Sequence, residues 1–224
     1  MTPWLDIGGG IRITGTGAAW IPAERTVIVA DVHVGYELAA QRRGGYLPPI
    51  ASGHEIGLRL AAMTTGLGAT RLVIAGDLRH STRDADDLER TELAGLAAAV
   101  RATVQLDVVR GNHDRGGAMI DVVASRSLRV GDVDVVHHPP AAPPARWTIC
   151  GHLHPRVTLR DETGASARYP CAMLGPQLLV VPAFSDWAGG TEARRLLAEL
   201  PHAPWRLLPM VDGLVADVGL VLER

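Results

Sequence analysis

The chain has 224 residues, 47% hydrophobic and 21% charged, with a mean hydropathy of +0.12; this composition suits one compact soluble domain over 1–224 and argues against disorder. All 22 basic residues are arginine, which excludes a lysine Schiff base and the phosphate-gripping lysine of a P-loop. A net charge of −2 and a pI near 6.5 exclude the overall basic field of a dedicated nucleic-acid binder, and there is neither a leader-like N-terminus nor a run of about 18 apolar residues, so a cytoplasmic location and no membrane partner are expected.

Short β-branched apolar runs at 26–30, 71–75, 106–109, 133–136 and 147–150 predict buried strands. Between the first two, Ile56, Leu60 and Met63 recur at helical spacing and predict a helix over 50–67. Between the next two, Leu93, Leu96 and Val100 predict another over 84–103, with Asp84, Asp86 and Asp87 where acids favour a helix N-terminus. This alternation implies right-handed crossovers and a largely parallel sheet. Beyond residue 155 the pattern changes: 156–160, 168–173, 178–181, 205–210 and 214–222 predict antiparallel strands, interrupted by a helix over 191–200. The expected class is α/β, with two sheets flanked by helices. The proline-rich stretch 139–144 predicts a stiff surface loop, and Cys150 and Cys171 predict two buried thiols.

The ends of the early strands carry side chains suited to metals: Asp31-Val32-His33, Gly76-Asp77-Leu78-Arg79-His80, Gly111-Asn112-His113-Asp114, His137-His138 and Gly151-His152-Leu153-His154. In an open α/β sheet the carboxyl ends of the strands line the ligand crevice, so groups distant in sequence can converge. If the Asp-x-His and His-x-His segments are extended, each pair of side chains points the same way. The glycines before Asp77, Asn112 and His152 suit tight turns and close backbone approach. Taken singly, Asp-x-His reads as a turn or helix cap and Gly-Asn-His-Asp as a hairpin turn. Five such turns in one chain read as a metal site, and oxygen and imidazole donors without thiolate suit Mn, Fe, Zn or Co.

In this order the motifs resemble the full set of the calcineurin-like metallophosphoesterases, over residues 31–154. The segments Ala30-Asp31-Val32-His33-Val34-Gly35-Tyr36-Glu37, Arg43-Gly44-Gly45-Tyr46-Leu47-Pro48 and Pro182-Ala183-Phe184, with Gly189-Gly190, resemble the ICC-like branch. That branch includes bacterial enzymes associated with a DNA-repair ligase and helicase, a partnership implied by resemblance only. The resemblance implies a β-sandwich flanked by helices in α-β-β-α layers. It also implies two divalent cations, with Mn the first choice. Asp31, His33 and His154 would hold one cation and Asn112, His137 and His152 the other, with Asp77 bridging both. His137 is chosen over its neighbour His138, which departs from the family's single histidine here.

The implied chemistry is hydrolysis of phosphate esters, with phosphodiesters favoured, by a metal-bridging hydroxide attacking phosphorus in line. His113 is expected to protonate the leaving oxygen and Asp114 to orient it. His80 is expected to support the metal shell, and Arg79, Arg115 and Arg156 are expected to be solvated loop charges or phosphate contacts. His54 and His202 fall in no motif. The substrate is a phosphoester, with nucleotides and nucleic acid both open. One alternative is a DNA or RNA nuclease linked to repair, against which stand the pI and a chain short of an added DNA-binding cap. The other is an inactive interaction scaffold, against which stands the complete ligand set.

Overall fold

The computed structural model describes residues 3–48, 51–114 and 125–223. Six strands form the first sheet in sequence order: β1 (Trp4–Gly8), β2 (Ile11–Thr14), β3 (Ala19–Ile21), β4 (Thr26–Val29), β5 (Arg71–Ala75) and β6 (Gln105–Val109). Only β4, β5 and β6 run parallel; β1 to β4 form an antiparallel meander that the periodicity does not predict.

The parallel strands are joined over one face of the sheet by helices. A short α1 (Tyr36–Arg42), absent from the expected elements, precedes α2 (Gly53–Gly66), and α3 (Asp87–Arg101) follows β5. Ser52 and Glu55 form a reciprocal capping box at the start of α2, and the Asp86 carboxylate accepts the Glu89 N–H at the start of α3. These caps shorten both helices relative to 50–67 and 84–103.

The second sheet contains β7 (Ser127–Val130), β8 (Val133–Val136), β9 (Thr148–Cys150), β10 (Pro155–Arg160), β11 (Ser166–Gly175), β12 (Leu178–Val180), β13 (Thr191–Glu192), β14 (Trp205–Val211), β15 (Leu214–Val215) and β16 (Val221–Leu222). It is mixed, which corrects the antiparallel expectation. Strands β8 and β9 belong to it and run parallel to each other, β12 runs parallel to β9, and β13 runs parallel to β10. The helix expected over 191–200 is divided between β13, the single turn α4 (Ala193–Leu196) and a 3₁₀ turn (Leu197–Glu199).

Alternation along the strands builds four layers. Ile28, Val73 and Ala75 face Ile149, Ala172, Leu179 and Leu208 between the sheets. The intervening Val27, Leu72, Ile74 and Val108 face Leu60, Leu93, Leu96 and Val100 of the helices. On the far side of the second sheet, Met173 and Val180 meet Leu196, Leu200 and Trp205. Cys150 and Cys171 are buried free thiols, as expected. Among the described residues no helix is long and apolar enough to cross a membrane.

Candidate metal centre

The ligand-bearing turns follow β4, β5, β6, β8 and β9, and backbone bonds lock them together. The N–H groups of Asp31 and His33 donate to the carbonyls of Gly76 (3.1 Å) and Asp77 (3.0 Å), and Gly151 N–H donates to the His137 carbonyl (3.2 Å). Phe184 N–H and Ser185 N–H reach the carbonyls of Ala30 and Asp31, so the late Pro182-Ala183-Phe184 segment supports the first ligand turn.

The i, i+2 pairs converge in a different way from that expected. Asp31 (φ 56°), His33 (φ 52°), Asp77 (φ 47°), His152 (φ 70°) and His154 (φ 46°) are all left-handed, so neither Asp-x-His nor His-x-His is extended. This conformation costs non-glycine residues about 1–3 kcal/mol each and persists where surrounding contacts enforce it, which is common at functional sites. The residue before Asn112 must be glycine. A Cβ on Gly111 would lie 2.1 Å from Asp77 Oδ1 and 2.3 Å from Asp77 N.

One donor set is formed by Asp31, His33 and His154. His33 Nε2 faces His154 Nε2 at 3.3 Å, and Asp31 Oδ1 lies 3.5 Å from the same His154 nitrogen. The second gathers on His137, whose Nε2 is 2.9 Å from Asn112 Oδ1, 3.2 Å from His152 Nδ1 and 3.5 Å from Asp77 Oδ1. Asp31, Asp77 and His137 form an overlapping buried group, which puts Asp77 against both sets. His137 Nδ1 is 3.0 Å from the Ala75 carbonyl, which can only accept, so Nδ1 carries the proton and Nε2 offers a lone pair.

His137 is 2% exposed, whereas His138 is exposed and packs its ring on His152 with centroids 4.1 Å apart. His138 nevertheless brings a ring nitrogen into a group with His137 and His152, at the rim of the second set.

Carboxylate, carboxamide and imidazole donor atoms crowd one another here. Asp31 Oδ1 and His33 Nδ1 are buried without a hydrogen-bond partner, and unpaired buried polar atoms are costly. Burial, with neighbouring positive charge, lowers the pKa of His33 to about 3 and that of His152 to about 4, so both rings are neutral near pH 7. Asp31 is also fully buried, which opposes its ionisation. The imidazoles of His154, His137 and His33 packed around it outweigh this and hold its carboxyl below the usual range. Neutral imidazoles, a carboxylate and a carboxamide oxygen on either side of Asp77 fit divalent cations.

His113 donates its backbone N–H to Asp77 Oδ1 (2.8 Å), and its ring Nδ1 contacts the His80 carbonyl. Its Nε2, on a side chain 26% exposed, lies 3.9 Å from Asp77 Oδ2. Among the described residues no hydrogen bond or ion pair joins Asp114 to this ring, which corrects the role expected of it. Its carboxylate accepts Gly111 N–H (2.8 Å) and Arg79 N–H (3.3 Å), so it shapes the turn that presents Asn112 and His113.

The His80 ring lies tilted against Tyr36 (4.1 Å between centroids), stacks on His113 (5.3 Å), and forms a further candidate group with His33 and His113. Burial, with the charges of His113, Arg43 and His154, lowers its pKa to about 4. Tyr36 is a neighbour of the site that sequence reasoning missed, although it lies in the segment quoted for the ICC-like resemblance.

Arg79 is neither solvated nor placed for phosphate. It is 0% exposed and makes a two-pronged ion pair with Glu89 of α3, at 2.9 and 3.0 Å. Arg156 is half-buried and donates to the Ala188 carbonyl; Arg115 lies outside the described residues. His54 and His202 are exposed and make no part of the centre.

No protein-family model and no curated protein matches this sequence. Among solved structures, the Pseudomonas putida nuclease MPE aligns with a TM-score of 0.69 and 22% identity over 95% of this chain and 97% of that one. A conserved protein of Streptococcus pneumoniae, described as a predicted phosphoesterase, aligns with a TM-score of 0.34 and 12% identity over 89% of this chain and 97% of that one. The first likeness establishes the fold: the chain has the calcineurin-like architecture of two stacked sheets flanked by helices.

Proposed function

We propose that the chain is a two-metal phosphodiesterase. The observation that carries this reading is the pair of donor sets meeting at Asp77, where buried carboxylate, carboxamide and imidazole atoms crowd together and Asp31 Oδ1 has no hydrogen-bond partner. Asp31, His33 and His154 would hold one cation, Asn112, His137 and His152 the other, and Asp77 would be shared. Mn is the first choice, with Fe, Zn and Co also compatible with these donors. When bound, two such cations supply an activated water and neutralise charge on the phosphoryl oxygens.

The chain's own groups do the rest. The His137 ring is fixed by Ala75, and Asp31 is fixed through His152 N–H at 2.8 Å, so donor positions are set before any ligand arrives. His113 is held by its Nδ1 proton on the His80 carbonyl and turns Nε2 toward Asp77. In its imidazolium form, Nε2 can pass a proton to the departing oxygen of the ester.

A second, narrower reading is a nuclease, favoured by the likeness to the Pseudomonas putida nuclease. That protein is spanned over 97% of its length, so the argument that a chain of this size is too short for nuclease work does not hold.

The test is turnover by Mn-loaded protein across mononucleotides, cyclic nucleotides, generic diesters and single- and double-stranded DNA. Diester hydrolysis that stops with chelator and returns with Mn is the expected result. Absence of turnover with Mn, Fe, Zn and Co alike would remove the proposal.

A further inference from the structure

His113 and His80 form one wall of a hollow of about 290 Å³, at the lower end of ligand pockets. Its polar lining beyond the two histidines is Arg42, Arg43, Arg83, Ser81 and Thr82, with no carboxylate among them. Arg42 is engaged by Asp86 and lies 3.6 Å from Glu89, which Arg79 already holds. Arg43 and Arg83 are exposed, and their side chains make no hydrogen bond or ion pair among the described residues.

The arginines are presented by anchored backbone. Arg43 N–H donates to the carbonyl of Ala40 at the end of α1, and the Arg83 carbonyl accepts from the buried Arg79 guanidinium. Arg83 N–H donates to Ser81 Oγ at 3.3 Å. Two uncommitted guanidinium groups and two hydroxyls around a small hollow match the forked donors that phosphate oxygens accept. The chain's net charge of −2 makes this local excess of cations a feature of the place rather than of the whole surface.

We propose that this hollow is a phosphate subsite. It takes the phosphodiester next along a nucleic-acid strand, on the side of the departing oxygen, so the substrate is a polynucleotide rather than an isolated diester. The proposal rests on the phosphodiesterase reading, because only a scissile ester at the metal centre, with His113 at its departing oxygen, puts the next phosphate behind His113. It also accounts for how a slightly acidic chain can hold a strand: contact is concentrated at one arginine-lined hollow instead of spread over a basic face.

The experiment compares kcat/KM for a single-stranded oligonucleotide with kcat/KM for bis(4-nitrophenyl) phosphate, which has one phosphate only. Wild type, the double variant Arg43→Gln/Arg83→Gln, and Arg195→Gln, an arginine outside the hollow, are assayed across a salt series. The expected result is a fall of about ten-fold or more in the oligonucleotide-to-diester ratio for the double variant. The fall appears in KM, with a salt slope shallower by about one to two, and Arg195→Gln leaves the ratio at its wild-type value. A ratio within two-fold of wild type in the double variant, or an equal fall in Arg195→Gln, overturns the subsite. Wild-type turnover of the small diester without the oligonucleotide also overturns it while leaving the phosphodiesterase reading intact. Turnover of neither substrate removes both.

Discussion

His33 Nε2 and His154 Nε2 face each other at 3.3 Å, inside a group completed by the Asp31 carboxylate. Facing ring nitrogens cannot both carry protons, and burial lowers the His33 pKa to about 3. An unfolded imidazole titrates near 6.5, so between pH 6.5 and 4 the unfolded chain binds more protons than the folded one. Stability of the metal-stripped protein is therefore fully present above pH 6.5 and declines as the pH falls. For His33 the slope approaches about 1.4 kcal/mol per pH unit. His80 and His152, with pKa values lowered to about 4, add a smaller share because they are only partly buried. Asp77, raised by burial, acts in the opposite sense. Thermal denaturation of the metal-stripped protein from pH 7.5 to 5.5 should show a falling Tm, and a flat Tm would refute the buried neutral imidazoles.

The His113 ring is fixed by the His80 carbonyl and leaves Nε2 to the substrate. His113→Ala is expected to slow esters with poor leaving groups by about 10²–10⁴-fold and to slow nitrophenyl esters far less, because nitrophenolate departs without a proton. Steady-state kinetics on the two substrate types checks this, and equal losses on both would assign His113 to binding instead.

Gly111 leaves no room for a side chain. A Cβ there would meet Asp77 Oδ1 at 2.1 Å, so Gly111→Ala must move the shared carboxylate or the turn that carries Asn112. The expected outcome is a cost of about 1–3 kcal/mol in stability with a disproportionate loss of metal and hydrolysis. Denaturant titration beside metal analysis measures both, and unchanged metal binding would contradict the packing described.

The buried Arg79–Glu89 pair ties the turn after Asp77 to the first turn of α3. Removing one partner strands the other charge, so Glu89→Ala is expected to cost about 3–5 kcal/mol, on the order of 10 °C in Tm. Calorimetry of the variant tests the estimate. A change under about 1 kcal/mol would mean that water reaches the pair.

The ligand residues were legible because metal chemistry narrows each position to carboxylate, carboxamide or imidazole, and because glycine marks the tight turns. Their backbone was not legible. Asp31 and His33 sit at positive φ through contacts with Gly76, Asp77 and Ser185 that lie far away in sequence. Arg79 misled for a related reason: beside a loop motif it reads as solvated, and only the return of α3 brings Glu89 against it. The meander β1 to β3 escaped notice because its strands are three to five residues long, too short for alternation to stand out from the surrounding glycines. Strand direction in the second sheet depends on which neighbour each strand pairs with, and β12 pairs with β9 across a long connection.

Asp77 joins the two donor sets at its carboxylate. The most direct measurement is metal content by mass spectrometry, with diester hydrolysis on the same samples, for wild type and Asp77→Asn. Two ions per chain and turnover are expected for wild type, and loss of metal with nearly all hydrolysis for the variant. An Asp77→Asn protein that keeps both ions and wild-type activity would contradict this.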